Sequence, residues 1–181
     1  MPEDRMVIES TSISKDYAKE YINVVSMGGT LIKDPHKKIR DNFVIAPGLI
    51  FVSFFVAGIA CLIKLLGITA SYVDLIIALA AVLFVLSIFY YVRLVSNLSK
   101  EQKKDRNVTF TFSEEGINYD DHKSDALDCG WDSFGSVLFC DHGVYFIPKE
   151  QTGVMIAISG EHKDAIRSFL KENDIELQVI E

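Results

Sequence analysis

FVIAPGLIFVSFFVAGIACLI (residues 43–63) and LIIALAAVLFVLSIFYYV (residues 75–92) are the two stretches that decide the fold of this chain. Neither contains Asp, Glu, Lys or Arg. At about 1.5 Å per residue, helices of this length span about the 30 Å hydrocarbon core of a bilayer. We therefore predict a two-helix transmembrane hairpin over residues 42–98, with spans at about 43–66 and 73–95.

Basic residues flank the predicted hairpin on both sides, whereas the short loop between the spans holds one base, Lys64, and one acid, Asp74. The positive-inside rule then places both termini in the cytoplasm and predicts a multi-pass protein of the cytoplasmic (inner) membrane. Bases close to an anionic leaflet also anchor the chain to the lipid surface. The predicted anchor residues are Lys37, Lys38, Arg40, Arg93, Lys103, Lys104 and Arg106.

The rest of the charge is acidic and lies beyond the hairpin. Residues 107–181 carry fifteen acids and five bases, a net charge of −10 within a whole-chain value of −7. Nucleic-acid binding requires clustered Lys and Arg, so nucleic acid is excluded as a partner of this region. An acidic region held at a membrane favours a protein partner with a basic patch.

Residues 1–41 form the predicted amino-terminal cytoplasmic segment, with a strand at residues 6–11 and an amphipathic helix at residues 15–25. The apolar face of that helix packs either on the carboxyl-terminal domain or on the membrane surface. Asp16 and Glu20 mix the charge of its polar face, and we favour packing on protein. The predicted face consists of Tyr17, Tyr21, Ile22 and Val25.

Residues 107–181 form the predicted carboxyl-terminal domain, in which short alternating runs are separated by turns. VTFTF at 108–112 is the clearest of these runs. A helix over residues 161–172, with Ser159 as its cap, closes the predicted antiparallel meander, and residues 175–179 add a last strand. The predicted fold is an α+β membrane protein: a transmembrane hairpin plus a small antiparallel pleckstrin-homology-like sheet or barrel capped by a carboxyl-terminal helix.

Three segments of this domain, in this order after a membrane hairpin, resemble the YcxB-like family of bacterial membrane proteins. They are VTFTFSEEGI at 108–117, GWDSF at 130–134 and YFIPK at 145–149. The resemblance implies a pleckstrin-homology-like fold at the cytoplasmic membrane. It implies no catalytic residues.

Several residues of types usually found at protein surfaces are candidates for contact with a partner protein. The turn that contains Glu114 and Glu115 is acidic, whereas the corresponding loop of phosphoinositide-binding domains is often basic. This difference disfavours phosphoinositide binding. Trp131 is most typical of a core position, with contact to a partner as the alternative. The predicted partner-facing residues are Glu114, Glu115, Asp120, Asp121 and Trp131.

No pattern indicates enzyme chemistry, a cofactor or a metal. The acids and histidines of the segments 120–122 and 141–142 lie in predicted turns and lack the paired spacing of metal ligands. Ser136, Asp141 and His142 have no nucleophile elbow around them, and no phosphate-binding glycine loop occurs.

The sequence therefore favours a membrane-anchored, non-enzymatic cytoplasmic interaction module. The alternative is an immunity or regulatory protein that neutralises a toxin or controls a membrane partner. Small residues Ser53, Ala57 and Cys61 share one face of the first span. Such a face allows close helix packing, either within the hairpin or in a homo-oligomer.

Overall fold

A computed structural model of the chain describes residues 5–10, 13–67, 71–103, 107–122 and 126–181. The chain divides into two compact units. Met1–Ile39 and Lys100–Glu181 form the first unit, called here the sheet domain. Arg40–Ser99 forms the second, called the helical hairpin.

Five α-helices and eight β-strands occur in the described residues, which confirms an α+β chain with two long apolar helices and antiparallel sheets. The helices are α1 (Lys15–Ser26), α2 (Gly28–Leu31), α3 (Asn42–Leu65), α4 (Ser71–Gln102) and α5 (Lys163–Glu172). The strands are β1 (Met6–Ser10), β2 (Val108–Phe112), β3 (Gly116–Asp120), β4 (Leu127–Gly130), β5 (Phe134–Phe139), β6 (Gly143–Pro148), β7 (Ile156–Ser159) and β8 (Gln178–Ile180).

Two four-stranded sheets build the sheet domain, in the orders β1-β2-β3-β4 and β7-β6-β5-β8. Neighbouring strands are antiparallel except for β5 and β8, which are parallel. Strand β1 pairs with β2 across the whole hairpin insertion, with Ile8 opposite Phe110. The amino-terminal segment, predicted as a separate region over residues 1–41, thus supplies the edge strand β1 to the sheet that contains β2 and β3.

The main hydrophobic core packs against one face of the sheet β1-β2-β3-β4. Strand β2 alternates between buried and half-buried residues, and Val108, Phe110 and Phe112 are its buried members. Helix α5 covers one end of this core, where the rings of Phe112 and Phe169 lie 5.7 Å apart. Each such apolar side chain contributes about 1.5–3 kcal/mol when fully removed from water.

Strand β6 is buried along its whole length because both faces of its sheet are covered. Val144 and Phe146 face the main core. Tyr145 and Ile147 lie on the opposite face, in a second cluster that includes Tyr17 of α1. This two-sided burial explains why β6 reads as a continuous apolar run rather than an alternating one.

Helix α1 begins after Ser14, whose Oγ accepts a hydrogen bond from the Tyr17 amide at 3.1 Å. Its packing on β6 agrees with the expectation that the helix packs on protein. The predicted face is wrong by one residue: Val24 is fully buried, whereas Val25 is 46% exposed. Val24 lies two helical turns after Tyr17 and therefore shares its side of the helix.

Buried residues recur every seven positions along both helices of the hairpin. This spacing, with small side chains at most of the positions, allows the helices to pack closely along one seam. Phe54 of α3 and Phe84 of α4 have ring centroids 6.3 Å apart, and Lys64 forms an ion pair with Asp74. The buried residues at this spacing are Ala46, Ser53 and Ala60 in α3 and Val73, Ala80, Ser87 and Leu94 in α4; Leu98, four positions after Leu94, is also buried.

Both hairpin helices are long and apolar enough to cross a bilayer. Only 17% and 11% of their most apolar windows are buried, so most of their apolar surface is exposed. Helix α4 continues to Gln102, past the predicted end of the span at about residue 95.

The last part of the chain departs from the sequence prediction in two places. Ser159 makes no side-chain cap, because a 3₁₀ turn at Gly160–His162 comes between it and α5. The last strand, predicted over residues 175–179, is observed at Gln178–Ile180 instead, and Val179 is 50% exposed. Its strand, β8, lies at the edge of its sheet and pairs with β5 alone.

Candidate functional site

An open cleft of about 380 Å³ lies at the end of the sheet domain that α5 covers. Four segments meet there: the β2–β3 turn, the 3₁₀ turn after β4 with the start of β5, the residue after β6 and the residues after α5. Within the described residues, its walls carry four carboxylates and one ammonium group. The lining residues are Glu114, Trp131, Asp132, Phe134, Gly135, Lys149, Asn173, Asp174, Ile175 and Glu176.

The β2–β3 turn positions the first carboxylate. The Ser113 amide donates to the Gly116 carbonyl at 2.9 Å, and the Ser113 hydroxyl accepts from the Glu115 amide at 3.3 Å. These bonds close the turn and leave Glu114 and Glu115 exposed at its tip. Glu114 lines the cleft, whereas Glu115 does not.

Gly116 is needed here for space rather than for a positive φ. Its φ lies outside the left-handed region. A Cβ on Gly116 would approach the carbonyl oxygen of Cys129 to 2.2 Å. The close approach of β4 therefore excludes every larger residue at this position.

Trp131 connects the cleft to the main core. Its indole N–H donates to the Ser113 carbonyl at 3.0 Å, which fixes the ring against the β2–β3 turn. Its ring lies 6.2 Å from that of Phe112 and 6.1 Å from that of Phe146. The side chain is half-buried, so it belongs to the core on one side and lines the cleft on the other.

The segment after α5 supplies two more carboxylates. The Asn173 side-chain amide donates to the Phe169 carbonyl at 2.9 Å and closes the helix end. Asp174 adopts a left-handed conformation with φ of 50°, and the chain then turns back so that the Ile175 amide donates to the Leu170 carbonyl at 3.0 Å. Asp174 and Glu176 are consequently exposed at the rim of the cleft.

Carboxylates at these positions create a negative potential around an aromatic side chain. Four acids and Lys149 leave a net charge of −3 on the described lining residues. A guanidinium or ammonium group is attracted both by carboxylates and by the face of an indole ring. The cleft is therefore suited to a basic side chain of a partner.

Two of the predicted partner-facing acids lie elsewhere. Asp120 ends β3, and the His122 amide donates to its Oδ1 at 2.7 Å. The His122 ring also lies 3.2 Å from Asp120 Oδ2 and 3.2 Å from the Thr109 hydroxyl. Asp121 follows at the same end of the strand, far from Glu114 at the other end. The structure thus separates the predicted acidic set into two groups.

Asp132, Asp174 and Glu176 belong to this site but were not predicted from the sequence. Asp132 lies in the 3₁₀ turn that follows β4, next to the single tryptophan. That adjacency in sequence is the one signal that could have placed it here. Asp174 and Glu176 reach the cleft only through the packing of α5, which no local pattern reports.

Ser136, Asp141 and His142, which were weighed as a catalytic set, do not form one site in the structure. Ser136 is fully buried in β5, opposite Ile147, and its hydroxyl has no hydrogen-bond partner. Asp141 and His142 are exposed in the turn between β5 and β6. Within the described ranges, no three His, Cys, Asp or Glu residues are grouped to hold a metal ion.

The predicted anchor residues that the structure describes are all exposed. Lys37, Lys38 and Arg40 precede α3, Arg93 lies in α4, and Lys103 follows α4. Lys104 and Arg106 lie outside the described residues.

The small-residue face predicted on the first span is divided between seam and surface. Ser53 is 7% exposed and Ala57 is half-buried, whereas Cys61 is exposed. Ser53 belongs to the seven-residue seam, and its hydroxyl donates to the Leu49 carbonyl at 2.7 Å within the same helix. Packing inside the hairpin therefore accounts for Ser53.

Comparison with known family models, curated proteins and solved structures finds no match to this chain.

Proposed function

We propose that the chain is a membrane-anchored, non-enzymatic interaction module whose sheet domain binds a basic segment of a partner protein in the cytoplasm. One observation carries the proposal: four carboxylates, one ammonium group and the half-buried Trp131 line the same 380 Å³ cleft. Arginine is the best ligand for such a site, because its planar guanidinium can pair with a carboxylate and stack on an aromatic ring.

Membrane insertion of α3 and α4 is supported by their exposed apolar surface. A core helix of a soluble protein would be mostly buried, yet at most 17% of either apolar window is buried. Leaving that many apolar side chains in water is unfavourable by about 25 cal/mol per Å². The basic residues on both flanks favour cytoplasmic termini at the inner membrane.

The layout of the sheet domain is compatible with a pleckstrin-homology-like fold and with membership of the YcxB-like family. Two sheets enclose one core, and a carboxyl-terminal helix covers one end of it. In this proposal the helical hairpin is an insertion between β1 and β2 of that fold, and it lies in the lipid bilayer.

Topology is tested by fusing reporters after Glu181 and within the loop between α3 and α4. A phosphatase that folds only outside the cytoplasm should be inactive after Glu181 and active in the loop. A fluorescent protein that folds only in the cytoplasm should show the opposite pattern. Phosphatase activity after Glu181, or recovery of the full chain in solution without detergent, contradicts membrane anchoring in this orientation.

Binding in the cleft is tested through Trp131, because it is the only tryptophan in the chain. Full-length protein in a non-ionic detergent is titrated with a short arginine-rich peptide, and the indole emission is recorded. The same peptide with citrulline in place of arginine keeps the shape and removes the charge. We expect saturable, salt-sensitive binding of the arginine peptide and about tenfold weaker binding of the citrulline peptide.

A matched pair of variants locates the binding. Glu114→Gln with Asp174→Asn removes two carboxylates of the cleft, and Glu9→Gln with Asp164→Asn removes two exposed carboxylates elsewhere. The first pair should weaken arginine-peptide binding about tenfold, and the second should leave it nearly unchanged. Equal losses in both pairs indicate non-specific attraction to an acidic domain and contradict a role for the cleft.

A further inference from the structure

Lys149 is the one basic residue among the described residues that line the cleft beside Trp131. It directly follows β6, and its amide donates to the Ser133 carbonyl at 2.9 Å, which fixes the backbone at this point. A Cβ on Gly135 of β5 would lie 3.4 Å from Lys149 Cγ, so the stem of the lysine passes over that glycine. The ammonium group therefore belongs to the wall that β5 and β6 form.

The carboxylates of the cleft come from other segments. Glu114 lies on the β2–β3 turn, and Asp174 and Glu176 follow α5. The Asp132 carboxylate lies over Gly130 at the end of β4, because a Cβ on that glycine would come within 2.7 Å of Asp132 Oδ1. The positive charge and the negative charges of the cleft therefore belong to different walls.

The ammonium group of Lys149 forms no ion pair and no hydrogen bond with any residue that the structure describes. Arg167, also on the surface of the sheet domain, is by contrast paired with both Asp164 and Glu181. The charge of Lys149 is consequently available to a ligand in the cleft. It attracts a carboxylate of that ligand and repels a second cation.

We infer that the cleft selects a partner segment in which an arginine is directly next to an aspartate or glutamate, an inference that rests on the arginine binding proposed above. The guanidinium lies among Trp131 and the carboxylates, and the neighbouring acid of the partner pairs with Lys149. Lys149 is thus a specificity-determining residue that disfavours two adjacent bases. A repulsive charge of this kind is a common source of specificity at interfaces.

Peptides with a single arginine test this charge pattern. Four peptides, blocked at both ends, place aspartate or asparagine directly before or after the arginine, so that each aspartate peptide has an uncharged counterpart of the same shape. Full-length protein in a non-ionic detergent is titrated with each peptide, and the emission of Trp131 is recorded. In at least one of the two orders, we expect the aspartate peptide to bind at least as tightly as its asparagine counterpart, although the domain as a whole is acidic.

Substitutions of Lys149 isolate its contribution. Lys149→Gln should weaken binding of the aspartate peptide about threefold relative to its asparagine counterpart, as expected for loss of an ion pair at a protein surface. Lys149→Arg keeps the charge and should keep the wild-type ratio of the two affinities. Lys19→Gln removes an exposed lysine of α1, outside the cleft, and should also leave the ratio unchanged. Thermal unfolding of each variant verifies that the sheet domain remains folded.

An unchanged ratio in Lys149→Gln, or an equal change in Lys19→Gln, overturns the inference. Weaker binding of the aspartate peptide than of its asparagine counterpart in both orders overturns it too. These results leave the proposed function intact, provided that the asparagine peptides bind and that Glu114→Gln with Asp174→Asn weakens their binding. If the asparagine peptides do not bind, the proposed function fails and the inference fails with it.

Discussion

The carboxylate of Glu20 accepts a hydrogen bond from the hydroxyl of Tyr145 at 3.0 Å, across 125 residues of sequence. Tyr145 is fully buried in β6, and Glu20 lies on α1. The second oxygen of the same carboxylate accepts from the His142 amide at 3.0 Å. One side chain thus satisfies a buried phenol and a turn amide, and it ties α1 to the β5–β6 hairpin.

Removing this contact should loosen α1 from the sheet. We expect Glu20→Gln to destabilise the sheet domain by about 1.5–3 kcal/mol, because hydrogen bonds to charged groups contribute in that range. Chemical unfolding followed by far-UV circular dichroism measures the change. Glu9→Gln, an exposed acid on β1, is the control and should change stability by less than about 0.5 kcal/mol.

A double-mutant cycle isolates the pair. If the contact is direct, Glu20→Gln and Tyr145→Phe together should cost less than the sum of the two single changes, by about 0.5–3 kcal/mol. Strict additivity contradicts a direct Glu20–Tyr145 interaction.

Substitution of Gly116 should be severe. In Gly116→Ala the new methyl group meets the Cys129 carbonyl oxygen of the paired strand, which belongs to the backbone and cannot rotate away. We expect a loss of at least about 2 kcal/mol, with local distortion of β3 and β4. Gly29→Ala is the control, because its nearest neighbour lies 3.9 Å from the new Cβ. A wild-type unfolding midpoint in Gly116→Ala contradicts the close packing of these strands.

Because α3 and α4 pack along a seam of buried residues, we expect substitutions at two adjacent alanines of α4 to differ in their effect on stability. Ala80 is 3% exposed and Ala81 is exposed, although they are neighbours in α4. Ala80→Leu should overpack the seam and destabilise the hairpin by about 1–3 kcal/mol, whereas Ala81→Leu should be nearly neutral. Thermal unfolding of the two variants in the same detergent gives the comparison. Similar midpoints argue that α3 and α4 do not pack through this face.

Local patterns were sufficient for most elements of the fold. The alternation of VTFTF predicted β2 with its observed bounds, and the helix pattern before the hairpin predicted α1 to within one residue. Both signals lie within one segment and need no knowledge of the partner segment. The face of α1 was displaced because Val24 and Val25 are equally apolar, and only contact with β6 decides which is buried.

The candidate cleft was predictable only in part, because it depends on segments that are distant in sequence. Glu114 and Trp131 were predicted as partner-facing, but they were grouped with Asp120 and Asp121. Residues five or more positions apart along a strand are separated by about 16 Å or more, which places those acids at the opposite end of β3. Asp174 enters the site through the packing of α5 on the core, a relationship that sequence spacing does not contain.

Alkaline pH should destabilise the sheet domain through Cys140, a half-buried residue after β5. Burial, and secondarily the nearby Glu20, raises the pKa of the Cys140 thiol from 9.0 to about 12. Between these two values the folded state retains a proton that the unfolded state loses. The free energy of unfolding therefore falls as pH rises, by at most about 1.4 kcal/mol per pH unit for this one group.

We expect the free energy of unfolding of Cys140→Ala to decline less steeply than that of the wild type when unfolding is measured from about pH 8 to about pH 11. Cys61→Ala, an exposed cysteine of the hairpin, should retain the wild-type slope. Parallel curves for Cys140→Ala and the wild type would mean that the Cys140 thiol ionises alike in the folded and unfolded chains, and that α1 does not shield it from water.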